Sequence, residues 1–138
     1  MDIQCTIEPS QSDIDEIRAG LIRHNTPYLE GLFRTDIVCY VNGEHGSKIG
    51  GLVGEIWGAW LTVKYLWVNS ENRGKGIGTK LLHEAEMFAE SKRCHSSFLD
   101  TFSFQARPFY ERHGYSIAMT LYEFPIEHER YFMTKQLR

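Results

Sequence analysis

A glycine-rich segment, Arg73 to Thr79, has the residue types and spacing of a phosphate-binding turn. Gly74, Gly76 and Gly78 alternate with larger residues, so a ligand can approach the main chain closely. An apolar run precedes the segment and helical spacing follows it, which predicts a strand, a turn and the start of a helix. The first N–H groups of such a helix lack internal partners and lie at the positive end of its dipole. The segment therefore predicts a site for a phosphate or pyrophosphate group.

The spacing excludes two common phosphate motifs. The nucleoside-triphosphate loop ends in Gly-Lys-Ser/Thr, and the dinucleotide fingerprint needs Gly-x-Gly-x-x-Gly. This chain instead has Arg-Gly-x-Gly-x-Gly after an apolar strand. Arg73, Lys75 and Lys80 add positive charge around the turn. We therefore expect a phosphate-bearing ligand of another class.

The segment resembles the GNAT superfamily of acyl-CoA-dependent N-acyltransferases. The family pattern is V-x-x-E-x-R/Q-G-x-G-x-G/A-x-x-L, and the residues that match it are Val68, Glu71, Arg73, Gly74, Gly76, Gly78 and Leu82. A second element, Ala106 to Tyr115, is similar to the family's A-x-x-x-Y-E-x-x-G-F/Y element. The two elements occur in the family's order and at its usual distance.

The resemblance implies an acetyl-CoA-dependent N-acetyltransferase. In the favoured interpretation, the enzyme binds both substrates together and transfers an acetyl group directly to a primary amine of a small molecule. Two alternatives stay open, namely a protein Lys or N-terminal acetyltransferase and a CoA-binding module without catalysis. Acetyl-CoA is the expected co-substrate, and no metal is expected.

The resemblance also implies which residues bind acetyl-CoA. Main-chain groups of Leu66 and Val68 would pair with the pantetheine amides, and the N–H of Val68 would face the thioester carbonyl. Ser103 stands where many family members carry Asn, and its hydroxyl is expected to contact the pantetheine arm. The full expected set is Leu66, Trp67, Val68, Arg73, Gly74, Lys75, Gly76, Ile77, Gly78, Thr79 and Ser103.

Two residues are the candidates for acid–base chemistry. The resemblance places the hydroxyl of Tyr110 near the cofactor sulfur as general acid, and a phenol with a pKa near ~10 is protonated at neutral pH. The alternative is a core aromatic whose hydroxyl has a backbone partner. The strand before the turn has no carboxylate, so Glu55 on the preceding strand is the candidate base, acting through water. An ordinary strand carboxylate is the alternative for Glu55, and Asp100, Glu123 and His128 are poorer candidates.

The order of predicted elements indicates an α/β fold, with a mixed, mostly antiparallel sheet of six to seven strands flanked by helices. We expect one domain over residues 1–138, which the resemblance identifies as an N-acetyltransferase domain with a splayed parallel strand pair at the cofactor site. A capping box at Ser12 and Asp15 predicts the start of the first helix. Strands are expected at 3–7, 37–41, 48–56, 60–68, 97–101, 115–124 and 130–137, and helices at 13–24, 77–89 and 105–113.

Aromatic residues are the candidates for an acceptor pocket. In the strand at 60–68, alternation places Leu61, Val63, Tyr65 and Trp67 on one face. The aromatic candidates for the lining of an acceptor pocket are Tyr28, Phe33, Trp57, Trp60 and Tyr122. A place in the core is the alternative for each of them.

The composition is that of an ordinary soluble globule, with 42% hydrophobic residues among 138. The net charge of -3 argues against nucleic acid as a partner, and no apolar run has membrane-spanning length. Cys5, Cys39 and Cys94 lack motif spacing and are interpreted as reduced thiols of a cytoplasmic protein. We expect a small-molecule amine as the partner and leave a homodimer open.

Overall fold

The computed structural model describes all residues from Met1 to Arg138, as two units, Met1–Leu32 and Phe33–Arg138. The first unit contains helix α1 (Gln11–Leu29), which begins at the N-cap Ser10. The Oγ of Ser10 accepts a hydrogen bond from the N–H of Asp13 at 3.0 Å. The capping box expected at Ser12 and Asp15 is therefore wrong, because a serine two residues earlier caps the helix.

A further prediction for the first unit, the strand at 3–7, is wrong. Residues 3–7 form no strand, since alternation over five residues cannot show whether a partner strand exists. Helix α1 also extends beyond the predicted end at residue 24, because it continues through Pro27 to Leu29. Pro27 lies in the last turn, where its missing N–H removes only one intrahelical hydrogen bond.

The second unit is built on a six-stranded sheet with the order β1-β2-β3-β4-β6-β5. Only β3 and β4 are parallel, and every other neighbouring pair is antiparallel. The elements, in chain order, are β1 (Arg34–Asn42), β2 (Lys48–Trp57), β3 (Trp60–Val68), α2 (Ile77–Ser91), β4 (Ser96–Phe102), α3 (Arg107–Arg112), β5 (Ser116–Leu121) and β6 (Arg130–Gln136). The predicted mixed sheet flanked by helices is confirmed with six strands. The single-domain prediction for residues 1–138 stays a prediction.

A β-bulge changes the face of the sheet to which the side chains of β3 point. Val53 pairs with Tyr65 and Gly54 pairs with Val63, so Lys64 is an extra residue on β3 without a partner on β2. An extra residue reverses the alternation of the side chains that follow it. Consequently Tyr65 and Trp67 do not share a face with the buried Leu61 and Val63, and that prediction is wrong.

One face of the sheet, which we call the helix face, carries the core. Its buried strand residues include Leu52, Leu61 and Leu99, and α2 contributes Leu82 and Ala85 to the same cluster. The apolar stripe of α2 explains this contact, because residues three or four apart share one side of a helix. The other face, which we call the opposite face, carries the alternate residues of each strand.

A buried polar group joins α2 to the sheet beneath it. The carboxylate of Glu86 accepts hydrogen bonds from the Tyr115 hydroxyl and from Lys135 Nζ, both at 2.8 Å. The hydroxyls of Tyr115 and Ser97 are 2.7 Å apart, so each polar atom is paired. A satisfied buried network of this kind fixes the position of α2, which follows the glycine-rich turn.

None of the helices combines the length and the apolar character needed to cross a membrane.

Candidate active site

The glycine-rich turn has backbone conformations that favour glycine. Gly74 has φ 78° and Gly76 has φ 80°, both in the left-handed region. Gly76 is the N-cap of α2 and gives the helix no side-chain cap. A Cβ added at either glycine would meet no protein atom within 4 Å, so both positions are open toward the outside of the turn. Glycine is thus required by the backbone, and the bare main chain is accessible to a ligand.

The start of α2 presents N–H groups that the helix does not use. Its first intrahelical hydrogen bond runs from the N–H of Lys80 to the carbonyl of Gly76 at 3.1 Å. The N–H groups of Ile77, Gly78 and Thr79 therefore precede the helical ladder. With the positive end of the helix dipole, they form an anion-binding surface.

Basic side chains lie near this surface. Arg73 is held in place because its Nε donates to the carbonyl of Val68 at 3.1 Å. Lys75 Nζ donates to Asn72 Oδ1 at 3.4 Å. Arg112, at the end of α3, lines the same cavity as the turn. Arg112 and Asn72 were not predicted from the sequence. For Arg112 the reason is that only the fold shows that the end of α3 lies beside the start of α2.

A hydrogen-bonded histidine connects these two helices. His113 Nδ1 lies 2.7 Å from the carbonyl of Phe109, so it carries the proton and donates. In the neutral ring, Nε2 then accepts from the Thr79 hydroxyl at 3.0 Å. The ring of Phe109 lies close to Gly78, where an added Cβ would meet it at 3.4 Å. The absence of a side chain at Gly78 therefore lets α3 approach the turn.

The turn opens on a cavity of about 470 Å³, which we call the turn cavity. Its lining includes turn residues that were predicted to bind the cofactor, together with Leu66 and Val68 of β3. From α3 and the residue before it, the lining is Ala106, Phe109, Tyr110 and Arg112. The structure therefore brings the two sequence elements that carry the resemblance together around one cavity.

The parallel strands β3 and β4 separate next to this cavity. They pair only from Trp60 with Ser96 to Val63 with Leu99, so the separation begins at the Lys64 bulge. The N–H of Asn69 bonds to the carbonyl of Ile49 on the β2 side. Because successive residues of a strand face opposite sides, the N–H groups of Val68 and Leu66 face the gap. Unpaired main chain is thus available along the gap, which an extended ligand could use.

A second cavity of about 260 Å³ fills the gap, and we call it the gap cavity. It is lined by residues 63–67 of β3 and, across the gap, by Asp100, Thr101 and Gln105. Leu66, Ala106 and Tyr110 line both cavities. The turn cavity and the gap cavity therefore meet at these three residues.

Tyr110 is held at this meeting point by the start of α3. The Thr101 hydroxyl accepts from the N–H of Ala106 at 3.3 Å and donates to Gln105 Oε1 at 3.3 Å. The Tyr110 ring is buried, with 7% of the residue exposed, whereas its hydroxyl has no hydrogen-bond partner in the protein and is not sealed in. Burial, followed by the negative charge of Asp100, raises the pKa of Tyr110 to about 12. The hydroxyl is therefore a protonated donor that faces the cavities.

The neighbouring Tyr115 provides a contrast. The two rings are 5.8 Å apart, edge to face, and both are buried. The hydroxyl of Tyr115 is fully used by Glu86 and Ser97, and burial raises its pKa. Tyr115 thus fits the description of a core aromatic with a satisfied hydroxyl, and Tyr110 does not.

Glu55 does not line either cavity. Its carboxylate lies 3.3 Å from Arg34 and 3.4 Å from Lys64, with 16% of the side chain exposed. Lys64 lines the gap cavity, so one side chain separates Glu55 from it. A role for Glu55 as base would therefore need an intervening water, as expected from the sequence.

Ser103 lies against another part of the chain. Its N–H donates to the carbonyl of Glu129 at 2.9 Å, and its Oγ accepts from the N–H of Glu129 at 3.1 Å. His128 Nδ1 is 3.4 Å from the same Oγ. Ser103 is not among the residues that line the two cavities, so the structure does not bring it to the other expected cofactor residues.

Two of the aromatic candidates for an acceptor pocket, Trp57 and Trp60, do not line either cavity. Trp57 and Trp60 pair with each other at the β2–β3 turn, at the end of β3 away from the gap. Tyr65 and Trp67, by contrast, line the gap cavity. They were not among the predicted acceptor residues, because the Lys64 bulge that turns them to the opposite face has no signal in the sequence.

Comparisons with known proteins agree with this geometry. A family model described as an acetyltransferase (GNAT) domain matches residues 35–117. A protein of Streptomyces morookaense named blasticidin-S acetyltransferase is 34% identical over 132 residues, which cover 94% of this chain and 97% of the relative. The crystal structure of an acetyltransferase from Bacillus cereus ATCC 14579 has a TM-score of 0.86 at 30% identity, over 96% of this chain and 97% of that chain.

A more distant structure shares the fold and contains a ligand. A protein of Bacillus anthracis assigned as a streptothricin acetyltransferase was crystallised in complex with acetyl coenzyme A. It has a TM-score of 0.65 at 19% identity, over 73% of this chain and 62% of that chain.

Proposed function

The chain belongs to the GNAT family and is an N-acetyltransferase, and we propose that it transfers the acetyl group of acetyl-CoA directly to a primary amine of a small molecule. The observation that carries the proposal is the junction of two cavities at Tyr110. The turn cavity fits a phosphate-bearing donor, and the gap cavity fits a small acceptor. Their junction is where donor and acceptor would meet.

The residues of the turn cavity fit coenzyme A. The open positions at Gly74 and Gly76 admit a pyrophosphate against the main chain, and the N–H groups of residues 77–79 would bind it. Arg73 and Arg112 would add charge-assisted contacts. The N–H groups of Leu66 and Val68 would bind the pantetheine amides along the gap. Acetyl-CoA supplies an acetyl group that is activated as a thioester.

The chain's own groups then supply the acid–base and electrostatic parts of direct transfer. As the amine nitrogen bonds to the acetyl carbon, the N–H of Val68 would stabilise the negative charge on the thioester oxygen. As the carbon–sulfur bond breaks, the Tyr110 hydroxyl would donate its proton to the sulfur. The amine proton would leave through water toward Glu55, whose carboxylate is one side chain away. No covalent enzyme intermediate is required.

A small-molecule acceptor is favoured over a protein acceptor by a relative and by the cavity. The relative that is 34% identical over nearly the whole chain is named for acetylating blasticidin S. The gap cavity has a volume of about 260 Å³, which suits a small amine. Incubation with acetyl-CoA and matched panels of small amines and of peptides, with CoA release as readout, tests the proposal. Acetylation of peptides alone would contradict it.

We expect acetyl-CoA to raise the melting temperature. A ligand that binds only the folded state at 100 times its Kd stabilises by about 2.7 kcal/mol, or roughly 10 °C for a chain of this size. The check is a thermal melt with increasing acetyl-CoA. NAD+ is the matched control, because the turn lacks the dinucleotide spacing, and it should give no shift. An equal shift with NAD+, or none with acetyl-CoA, would contradict the assignment of the turn.

We expect Glu55→Gln to lower kcat/KM about tenfold at pH 7, less than the usual effect of a direct base, because the base would act through water. The loss of kcat/KM should become smaller as the pH rises, because a larger fraction of the free amine is then already neutral. A pH profile of kcat/KM checks this. Asp36→Asn is the control, since Asp36 pairs with Glu55 across the strands and lines neither cavity. A loss that is constant with pH would argue against a role in proton removal.

A further inference from the structure

The gap cavity contains groups that acetyl transfer itself does not use. Asp100 lines it from β4, and Tyr65 and Trp67 line it from β3. All three side chains belong to the opposite face, because Asp100 alternates with the buried Leu99 and the Lys64 bulge turns Tyr65 and Trp67 to that side. They surround the place where the acceptor would lie.

The carboxylate of Asp100 is held in position through one of its two oxygens, and the other oxygen has no protein partner. Its Oδ2 accepts from Arg130 Nε at 2.8 Å, while its Oδ1 has no protein partner and is not buried. Arg130 is itself held over aromatic rings, at 4.9 Å from the Phe132 centroid and 5.0 Å from that of Phe124. One carboxylate oxygen is therefore held in position and free to accept from a ligand.

The other charged side chain of this cavity is paired outside it. Lys64 Nζ lies 3.4 Å from the carboxylate of Glu55, which does not line the cavity. The Asp100 carboxylate is also close enough to Tyr110 for its charge to raise the pKa of that phenol. A positive group bound at Asp100 would thus be next to the proposed acid.

Tyr65 and Trp67 provide an aromatic wall near this carboxylate. They are 71% and 48% exposed, although both are large aromatic side chains in a central strand. Residues two apart on a strand lie side by side on one face. Exposed aromatic rings of this kind bind flat or apolar groups and, through their faces, cations.

We propose that Asp100 binds the ammonium group of the acceptor and that Tyr65 and Trp67 pack against its body, so that the enzyme selects small primary amines with a flat or aromatic body. The proposal rests on the proposed function, because it names the class of acceptor for that reaction. Asp100 is a binding residue in this scheme, and the amine must still lose a proton before it attacks.

The test compares amines with alcohols of the same shape. Phenethylamine and 2-phenylethanol, together with other arylalkyl pairs, are titrated by calorimetry into the protein saturated with CoA. We expect the wild type to bind the amines about ten- to hundredfold more tightly, as for a hydrogen bond between charged groups. Asp100→Asn should remove this preference and keep the melting shift with CoA. Asp36→Asn removes the same charge from the same sheet face outside the cavity and should keep the preference.

A second variant tests the aromatic wall. Trp67→Leu should weaken the binding of arylalkyl amines about tenfold relative to that of unbranched alkyl amines. The substitution removes the contacts with the ring and leaves the charge at Asp100. Equal binding of amines and alcohols by the wild type, no binding of any amine, or an unchanged preference in Asp100→Asn would overturn the proposal. The comparison of amines with alcohols in the wild type tests the proposal even if Asp100→Asn does not fold. A wild type that prefers the amines but releases no CoA would contradict the proposed function and not this inference.

Discussion

Gly76→Val is expected to abolish useful cofactor affinity, with a loss of about 100-fold or more. Valine at φ 80° is strained, at a cost of about 1–3 kcal/mol. Its side chain would also project into the open space at the start of α2, where the N–H groups of residues 77–79 would bind the pyrophosphate. Hydrogen bonds to charged groups contribute about 1.5–3 kcal/mol each, so losing even one or two gives an effect of this size.

Gly46→Val separates backbone strain from ligand contact. Gly46 also has φ 80°, and a Cβ added there would meet no protein atom within 4 Å, but it lies in the β1–β2 turn and does not line the turn cavity. Both variants should lose a similar amount of stability in thermal melts, and only Gly76→Val should lose the melting shift with acetyl-CoA. A similar loss of affinity in both would mean that strain alone is responsible. Normal affinity in Gly76→Val would place the phosphate site elsewhere.

The turn was predictable because its signal is local. The φ values of Gly74 and Gly76 and the free N–H groups at the start of α2 all arise within a few residues of the chain, and the glycine spacing reports them directly. The strand before the turn and the helix after it were predictable for the same reason, since each has its own apolar periodicity.

The gap was not predictable from periodicity, because the bulge at Lys64 has no local signal. The strand is apolar or aromatic at Leu61, Val63, Tyr65 and Trp67, and Leu66 is apolar too, so the sequence satisfies either facing. The register in which β3 pairs with β2 determines which of these residues face the core, and this register is a property of the whole sheet. The proposed acceptor contacts Tyr65 and Trp67 were therefore not among the aromatic residues predicted from the sequence.

Residues that meet only in the folded chain form the remainder of the site. Arg112 reaches the turn because Gly78 admits Phe109 of α3, and Asp100 reaches the gap because β4 stops pairing with β3 after Leu99. Neither contact can be recognised from the spacing of nearby residues in the sequence. The family resemblance supplied the role of Tyr110, and the structure adds that its hydroxyl has no partner in the protein.

Tyr110→Phe is expected to lower turnover about 10²–10⁴-fold at saturating substrates while the fold and the cofactor affinity are kept. The change removes a hydroxyl that has no partner in the protein, so no buried group is left unsatisfied. It also removes the proposed proton donor to the sulfur. The readouts are kcat from CoA release, the melting temperature and the melting shift with acetyl-CoA.

Tyr115→Phe is the matched control, because it makes the same chemical change in the ring that contacts Tyr110. The Tyr115 hydroxyl serves Glu86 and Ser97, so its loss should cost about 1–3 kcal/mol of stability, while the folded fraction should retain its turnover. The two variants should therefore show opposite effects, one on chemistry and the other on stability. If Tyr110→Phe instead lost stability and kept its turnover, Tyr110 would be a packing residue.

The pH dependence gives an independent check on Tyr110. The acid acts in its protonated form, and burial raises its pKa to about 12, so the proton is bound throughout the neutral range and is lost only as the pH rises through that value. Wild-type kcat should therefore show no alkaline decline from this group between about pH 7 and pH 10. Tyr110→Phe should lower kcat by a constant factor over the same interval. A wild-type decline that begins near pH 8 and is absent from Tyr110→Phe would contradict the raised pKa of the hydroxyl. Equal kcat values for the wild type and Tyr110→Phe across this interval would contradict the role of Tyr110 as general acid.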